Sequence, residues 1–211
     1  MDVTDALQQL SDAAAELVRR GLVLAAGGNV SLRVEDRVYI SPTGARLDAL
    51  NPKTFAVVDV NTRESLNEFK PSSELPMHLA CYRARPEAKV VIHCHPAHII
   101  ALASLGQPLP AMTADFLVYL SATQLPVIPY ITPGTEDLAR AVEQEMRSVP
   151  VVMLGNHGLI ATGPNVARTL DRVLLAEESA RVYLLARQFG EPRVLTQKDW
   201  DDLKTRYGRG K

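Results

Sequence analysis

The sequence predicts an α/β layered domain with a mixed, largely antiparallel central sheet and helices packed on it. Three observations carry that reading. Strand-like and helix-like hydrophobic periods interleave along the 211 residues. Several successive strands are joined by turns too short for a parallel crossover. No repeat, low-complexity tract or linker divides the chain, so residues 1–211 read as one domain of ordinary size.

Taken in order, residues 4–20 place Ala6, Leu7, Leu10, Ala13, Ala14, Leu17 and Val18 at helical spacing and stop at Gly21, a helix breaker. "NVSLRV" and "RVYISP" alternate as strands about the charged turn "EDR". "FAVVDV" is a further strand, and "NTRESLNEFKPSS" reads as a turn plus a short edge strand. "SSELPMHLACYRARP" has the serine start and early acid of a helix N-terminus, with Pro76 tolerated in the first turn. "KVVIHCHP" is a strong strand, followed by the helix "PAHIIALASLG" between its proline and glycine. "LPVIPYI" is a short strand interrupted by prolines, and "GTEDLARAVEQEMRS" an amphipathic helix. "VVMLGNHGLIATG" reads as two strands about a turn, and "NVARTLDRVLLAEESARVYLLARQFG" as a long helix.

Composition excludes several functional classes. Hydrophobic content of 46% and charged content of 22% are globular values. A net charge of −1 offers no electrostatic reason for a nucleic-acid or membrane partner. No window supplies the ~20 apolar residues of a membrane helix, and the charged, amphipathic start is unlike a signal peptide. Two cysteines, Cys81 and Cys94, make no disulfide framework, so a cytoplasmic address is the simplest expectation.

The chemistry concentrates in a few polar stretches. "VVIHCHPAHII", residues 90–100, holds three of the five histidines. On a strand, His93 and His95 project to one side, as a pair of metal ligands would, although a zinc site needs three or four. His157, between Asn156 and Gly158 at a strand end, is a candidate third ligand. Glu74 and His78 share a helix face at i and i+4, and either can reach a metal. Three imidazoles with a carboxylate suit Zn²⁺, with Mn²⁺, Co²⁺ or Fe²⁺ as less favoured occupants. "AGGNVS", "SPTG" and "KPSSE" border strands or open a helix, where free N–H groups and hydroxyls suit an anion. Each alone reads equally as a plain turn.

Together, "GGNVS", "SPTG", "KPSSE", "HCHP" and "NHG", in this order and spacing, resemble the class II aldolase/adducin family, and in particular its zinc-dependent L-fuculose-1-phosphate aldolases. The resemblance covers nearly the whole chain. It implies an α/β/α layered domain, assembled as a homotetramer with active sites at subunit interfaces. It implies that His93, His95 and His157 are the metal ligands. Glu74 matches the carboxylate that is both metal neighbour and acid–base group. Gly28, Asn29, Thr43, Gly44, Ser72 and Ser73 match the substrate-phosphate cradle, leaving His78 and His98 as supporting residues. The implied reaction is cleavage of a phosphorylated ketose into dihydroxyacetone phosphate and an aldehyde through a metal-stabilised enediolate.

The chain departs from that pattern in one place. Aldolases of 6-deoxyketose phosphates carry a tyrosine shortly after "LPA", where this chain has Ala114. The stretch "TADF" instead resembles a segment of the sugar-phosphate 4-epimerases, which makes Asp115 a candidate acid–base residue; a loop aspartate capping the following segment is the other reading. Tyr207 matches the family's C-terminal tyrosine that closes over a site, against a tail from about residue 197 that is simply mobile. Epimerisation or decarboxylation of a sugar-acid phosphate is the alternative reaction, and a non-catalytic adducin-like module a third reading, disfavoured because all the ligand histidines are kept.

Overall fold

The computed structural model describes residues 2–207, the side chain of Tyr207 excepted. The described chain runs α1 (Val3–Arg19), β1 (Asn29–Val34), β2 (Arg37–Ile40), β3 (Ala56–Asp59), α2 (Leu75–Ala84), β4 (Val90–Cys94), α3 (Ala97–Ser104), β5 (Leu109–Pro110), α4 (Ala114–Leu120), β6 (Gln124–Leu125), β7 (Val127–Ile128), α5 (Glu136–Met146), β8 (Val151–Leu154), β9 (Gly158–Gly163), α6 (Val166–Arg187) and α7 (Gln197–Tyr207). Seven strands form one sheet in the order β3-β2-β1-β4-β9-β8-β7. Its pairs are antiparallel except β7 with β8, the mixed sheet that the short turns predict.

Strand alternation gives the sheet two apolar faces. Val90, Ile92 and Cys94 of β4 join one core with α1, α3, α4 and α6, whereas Val91 joins a second core with α2 and α5. Helices thus cover both faces, the three-layer arrangement that buries a sheet on both sides. No described helix is long and apolar enough to cross a membrane.

Three segments differ from their sequence expectations. "NTRESLNEFKPSS" turns at Asp59, which accepts from the amides of Asn61 and Thr62, and then returns along β3 as a single antiparallel bridge, Ser65 opposite Val58, rather than a full edge strand. Backbone bonds from Leu66 N–H to the Val57 carbonyl and from Asp59 N–H to the Glu64 carbonyl, at 2.7 and 3.0 Å, hold the bridge. Asn67 extends it with a side chain that accepts from Val57 N–H and donates to the Phe55 carbonyl. "LPVIPYI" is divided by Pro126 into β6, which pairs with β5 in a separate two-stranded sheet, and β7 of the main sheet. A proline cannot donate to a ladder, so pairing breaks there. "TADFLVY" is helix α4, N-capped by Thr113, whose hydroxyl accepts from Phe116 N–H. The described part of the tail, Gln197–Tyr207, is also helical. Asp199 and Thr196 cap α7 reciprocally, and Trp200 and Leu203 pack on the larger core.

Helix α3 begins right after the "HCHP" segment, and its start is held by α6. The Glu177 carboxylate accepts from the amides of His98 and Ile99 and from His98 Nδ1, at 3.1, 3.1 and 2.7 Å. A carboxylate at a helix N-terminus satisfies donors that have no partner within the helix. Glu177→Ala should therefore lower unfolding free energy by about 1–2 kcal/mol, read as a shift in urea midpoint at constant m-value. Glu177→Gln, which keeps an acceptor, should cost less.

Candidate active site

Strand β4 sits between β1 and β9, with Asn29 and Ile160 opposite His93. His93 is fully buried on the α2 side of the sheet. Its Nδ1 donates to the Leu159 carbonyl at 2.8 Å, which turns Nε2 toward the cluster. His95 lies one residue past the strand, its amide bonded to the Leu22 carbonyl. His157 stands on the turn between β8 and β9, which Asn156 closes in the left-handed conformation. The ligand-capable nitrogens of the three histidines all lie within 4.8 Å of one another.

Small residues permit this approach. A Cβ on Gly158 would stand 2.3 Å from the Cys94 carbonyl oxygen and 3.0 Å from the His95 ring. A Cβ on Gly28, at φ +67°, would stand 2.8 Å from the His93 carbonyl oxygen.

Glu74 is the N-cap residue of α2 and is buried. Its Oε2 lies 3.1 Å from His93 Nε2 and its Oε1 3.5 Å from His157 Nε2. Asn29 Nδ2 donates to Oε2 at 2.9 Å. Burial alone would raise the Glu74 pKa. His93, Asn29 and His157 outweigh it and hold the carboxyl well below its usual range. Burial, followed by the charge of His93, pushes His95 and His157 down to about 4.

The residues singled out for an anion do converge. Gly28, Thr43, Gly44, Ser72 and Ser73 line one cleft of about 270 Å³ together with Glu74, His95 and His157. "SPTG" and "KPSSE" are zipped side by side, by Thr43 N–H to the Lys70 carbonyl at 3.0 Å and Ser72 N–H to the Ser41 carbonyl at 3.2 Å. Asn29 also borders the cleft, but its amide is engaged by Glu74 and by His78. Pro133, from the segment after β7, closes another side and carried no signal in the sequence.

Other candidates stand elsewhere. Asp115 is exposed in the first turn of α4, where Thr113 rather than Asp115 makes the cap. It borders a separate cavity of about 660 Å³ with Arg20, Tyr119, Asp171 and Glu177. His98 is half-exposed and paired with Glu177. Tyr207 ends α7, and its side chain lies outside the described residues.

The donor set fits a divalent ion. Nε2 of His93 and Nε2 of His95 are 3.0 Å apart, and nitrogens bound tetrahedrally to zinc at 2.0–2.1 Å lie about 3.3 Å apart. Glu74 Oε1 and His157 Nδ1 are buried without hydrogen-bond partners, a costly state that a cation or substrate would relieve. A neutral imidazole is the ligating form, the state that burial favours for His95 and His157.

The comparisons with known proteins agree with this geometry. The sequence pattern described as Class II Aldolase and Adducin N-terminal domain matches residues 8–184. A 5-deoxy-D-ribulose 1-phosphate aldolase of Bacillus thuringiensis serovar kurstaki is 32% identical over 194 residues, 91% of this chain and 90% of the relative. A 3-oxo-tetronate 4-phosphate decarboxylase of Haemophilus influenzae is 31% identical over 191 residues, 89% of this chain and 90% of the relative. A solved L-fuculose 1-phosphate aldolase superposes with a TM-score of 0.90 at 30% identity, covering 99% of this chain and 98% of that one.

Two outcomes follow from the site. Gly158→Ala should displace His95 and destabilise the fold by about 1–3 kcal/mol, with loss of metal affinity in an equilibrium titration. In metal-free protein, the folded state keeps His95 and His157 neutral while the unfolded chain takes up protons below about pH 6.5. Stability should therefore fall as pH drops from 6.5 to 5, with a limiting slope near 1.4 kcal/mol per pH unit for each proton taken up. Urea midpoints that stay level across that window would contradict neutral imidazoles.

Proposed function

The chain belongs to the class II aldolase and adducin family, and on that premise we propose that it is a metal-dependent aldolase. It would cleave a short phosphorylated ketose into dihydroxyacetone phosphate and an aldehyde. The observation that carries the reading is the cleft itself. One carboxylate, Glu74, stands against His93 and His157 with His95 beside them, and glycines and hydroxyls line the same small polar cavity.

His93, His95 and His157 are the residues that hold the ion, with zinc as the assigned metal. A divalent ion bound there acts as a Lewis acid on the substrate carbonyl and offsets developing negative charge. Glu74 carries the proton: it accepts it from the nucleophilic carbon in condensation and returns it in cleavage. Thr43, Gly44, Ser72 and Ser73, with Gly28, hold the phosphate at a helix start, so that the reacting bond is fixed relative to Glu74. Among the described residues lining the cleft Glu74 is the sole acid. That favours one-carboxylate aldol chemistry over a reaction using Asp115.

The reading includes a cytoplasmic address, consistent with two unpaired, buried cysteines. It also includes a homotetramer with sites between subunits, whose contacts would cover exposed apolar groups such as Leu24, next to the cleft loop, and Phe189. Decarboxylation is the second reading, favoured by the similarity to the tetronate-phosphate enzyme.

Triose phosphate release, followed by a coupled assay over a panel including 5-deoxy-D-ribulose 1-phosphate and L-fuculose 1-phosphate, tests the proposal. Wild-type protein should release it. Glu74→Gln should lower kcat by roughly 10²–10⁴-fold with metal content unchanged. Release of carbon dioxide from a 3-oxo sugar-acid phosphate, with no triose phosphate from any ketose, would transfer the assignment to the decarboxylase.

A further inference from the structure

A chain of buried side chains leads from the core to Glu74. The Tyr82 hydroxyl lies 2.7 Å from Ser31 Oγ, and Ser31 Oγ lies 2.7 Å from His78 Nδ1. His78 Nε2 lies 2.6 Å from Asn29 Oδ1, and Asn29 Nδ2 lies 2.9 Å from Glu74 Oε2. All five residues are buried, and three of them, Glu74, His78 and Tyr82, repeat every fourth residue on one face of α2.

The direction of every bond is set by the last one. An ionised carboxylate only accepts, so Asn29 must present its N–H₂ to Glu74 and its carbonyl to His78. His78 therefore carries its proton on Nε2, and its Nδ1 accepts from the Ser31 hydroxyl. Ser31 in turn accepts from the hydroxyl of Tyr82. Both nitrogens of His78 are thereby used, which removes it from the candidate metal ligands. Burial keeps the ring neutral, with a pKa pushed down to about 3.

We propose that His78 is a positioning residue for Glu74. It acts through Asn29, fixing which carboxylate oxygen is tied down and which is left to exchange the substrate proton. Oε2 is engaged by Asn29, whereas Oε1 is buried with no hydrogen-bond partner. A carboxylate held by a directed, buried network needs little reorganisation before proton transfer. The inference rests on Glu74 being the proton carrier, as proposed above.

Two measurements test it. Solvent-deuterium exchange at the hydroxymethyl carbon of dihydroxyacetone phosphate reads the proton step by itself. His78→Leu, which removes both bonds, should slow exchange by about 10–100-fold with KM and zinc content little changed. His78→Gln places an amide N–H near the Nε2 position and should recover a large part of the loss. Equal loss in both variants, or an effect confined to KM, overturns the inference. Independently, nitrogen-15 spectra of the imidazoles in metal-free wild-type protein should show His78 protonated on Nε2. Protonation on Nδ1 overturns it. If wild-type protein exchanges nothing, the lyase reading fails, and the tautomer alone then decides the chain.

Discussion

A slip of one residue in the pairing of β4 would turn His93 to the opposite face of the sheet and put Ile92 or Cys94 in its place. The site depends on that register. It is held from both sides, by β1 through Asn29 to Leu32 and by β9 through Leu159 to Gly163. The same pairings deliver the neighbours of the metal candidates: Asn29, opposite His93 on β1, reaches Glu74, and the Leu159 carbonyl on β9 takes the His93 Nδ1 proton. Register is strongly specified because both faces of β4 are buried, each in a different core.

The second constraint is electrostatic. A carboxylate and three imidazoles crowd one largely buried site, where an unpaired charge is costly. The protein meets this partly with Asn29 and partly by keeping His95 and His157 neutral. The two unpartnered atoms, Glu74 Oε1 and His157 Nδ1, are the residue of that arrangement. Such incompletely satisfied polar groups recur where a protein is built to receive a ligand. The surrounding glycines serve the same end, since any side chain at Gly28 or Gly158 would collide with the backbone at His93 or Cys94.

Much of this was legible before the structure. Strong periodicity located α1, α5 and α6, and the alternation about "EDR" and "NHG" located β1, β2, β8 and β9. The set of five short motifs pointed to the family, and His93, His95, His157 and Glu74 do come together. What was not legible has physical reasons. Helix α4 is short, and its signal lay in Thr113 as a cap and in the spacing of Phe116, Leu117 and Leu120. The edge strand is cut to one bridge at Ser65 because the Asn67 side chain, not further backbone, takes the next bonds along β3. The two roles of Asn29 depend on contacts 45 and 49 residues away, which no local pattern encodes. Asp115 was singled out by its surroundings in the sequence, yet the fold puts it on the border of another cavity.

The central claim is that His93, His95 and His157 form one metal site with Glu74 at its edge. Equilibrium dialysis of metal-stripped protein against zinc, with bound metal counted per chain, tests it most directly. The account predicts one tightly bound ion per chain in the wild type, and binding weakened by orders of magnitude in His157→Ala. Stoichiometric binding that survives that substitution, or no tight binding by the folded wild-type protein, would contradict it.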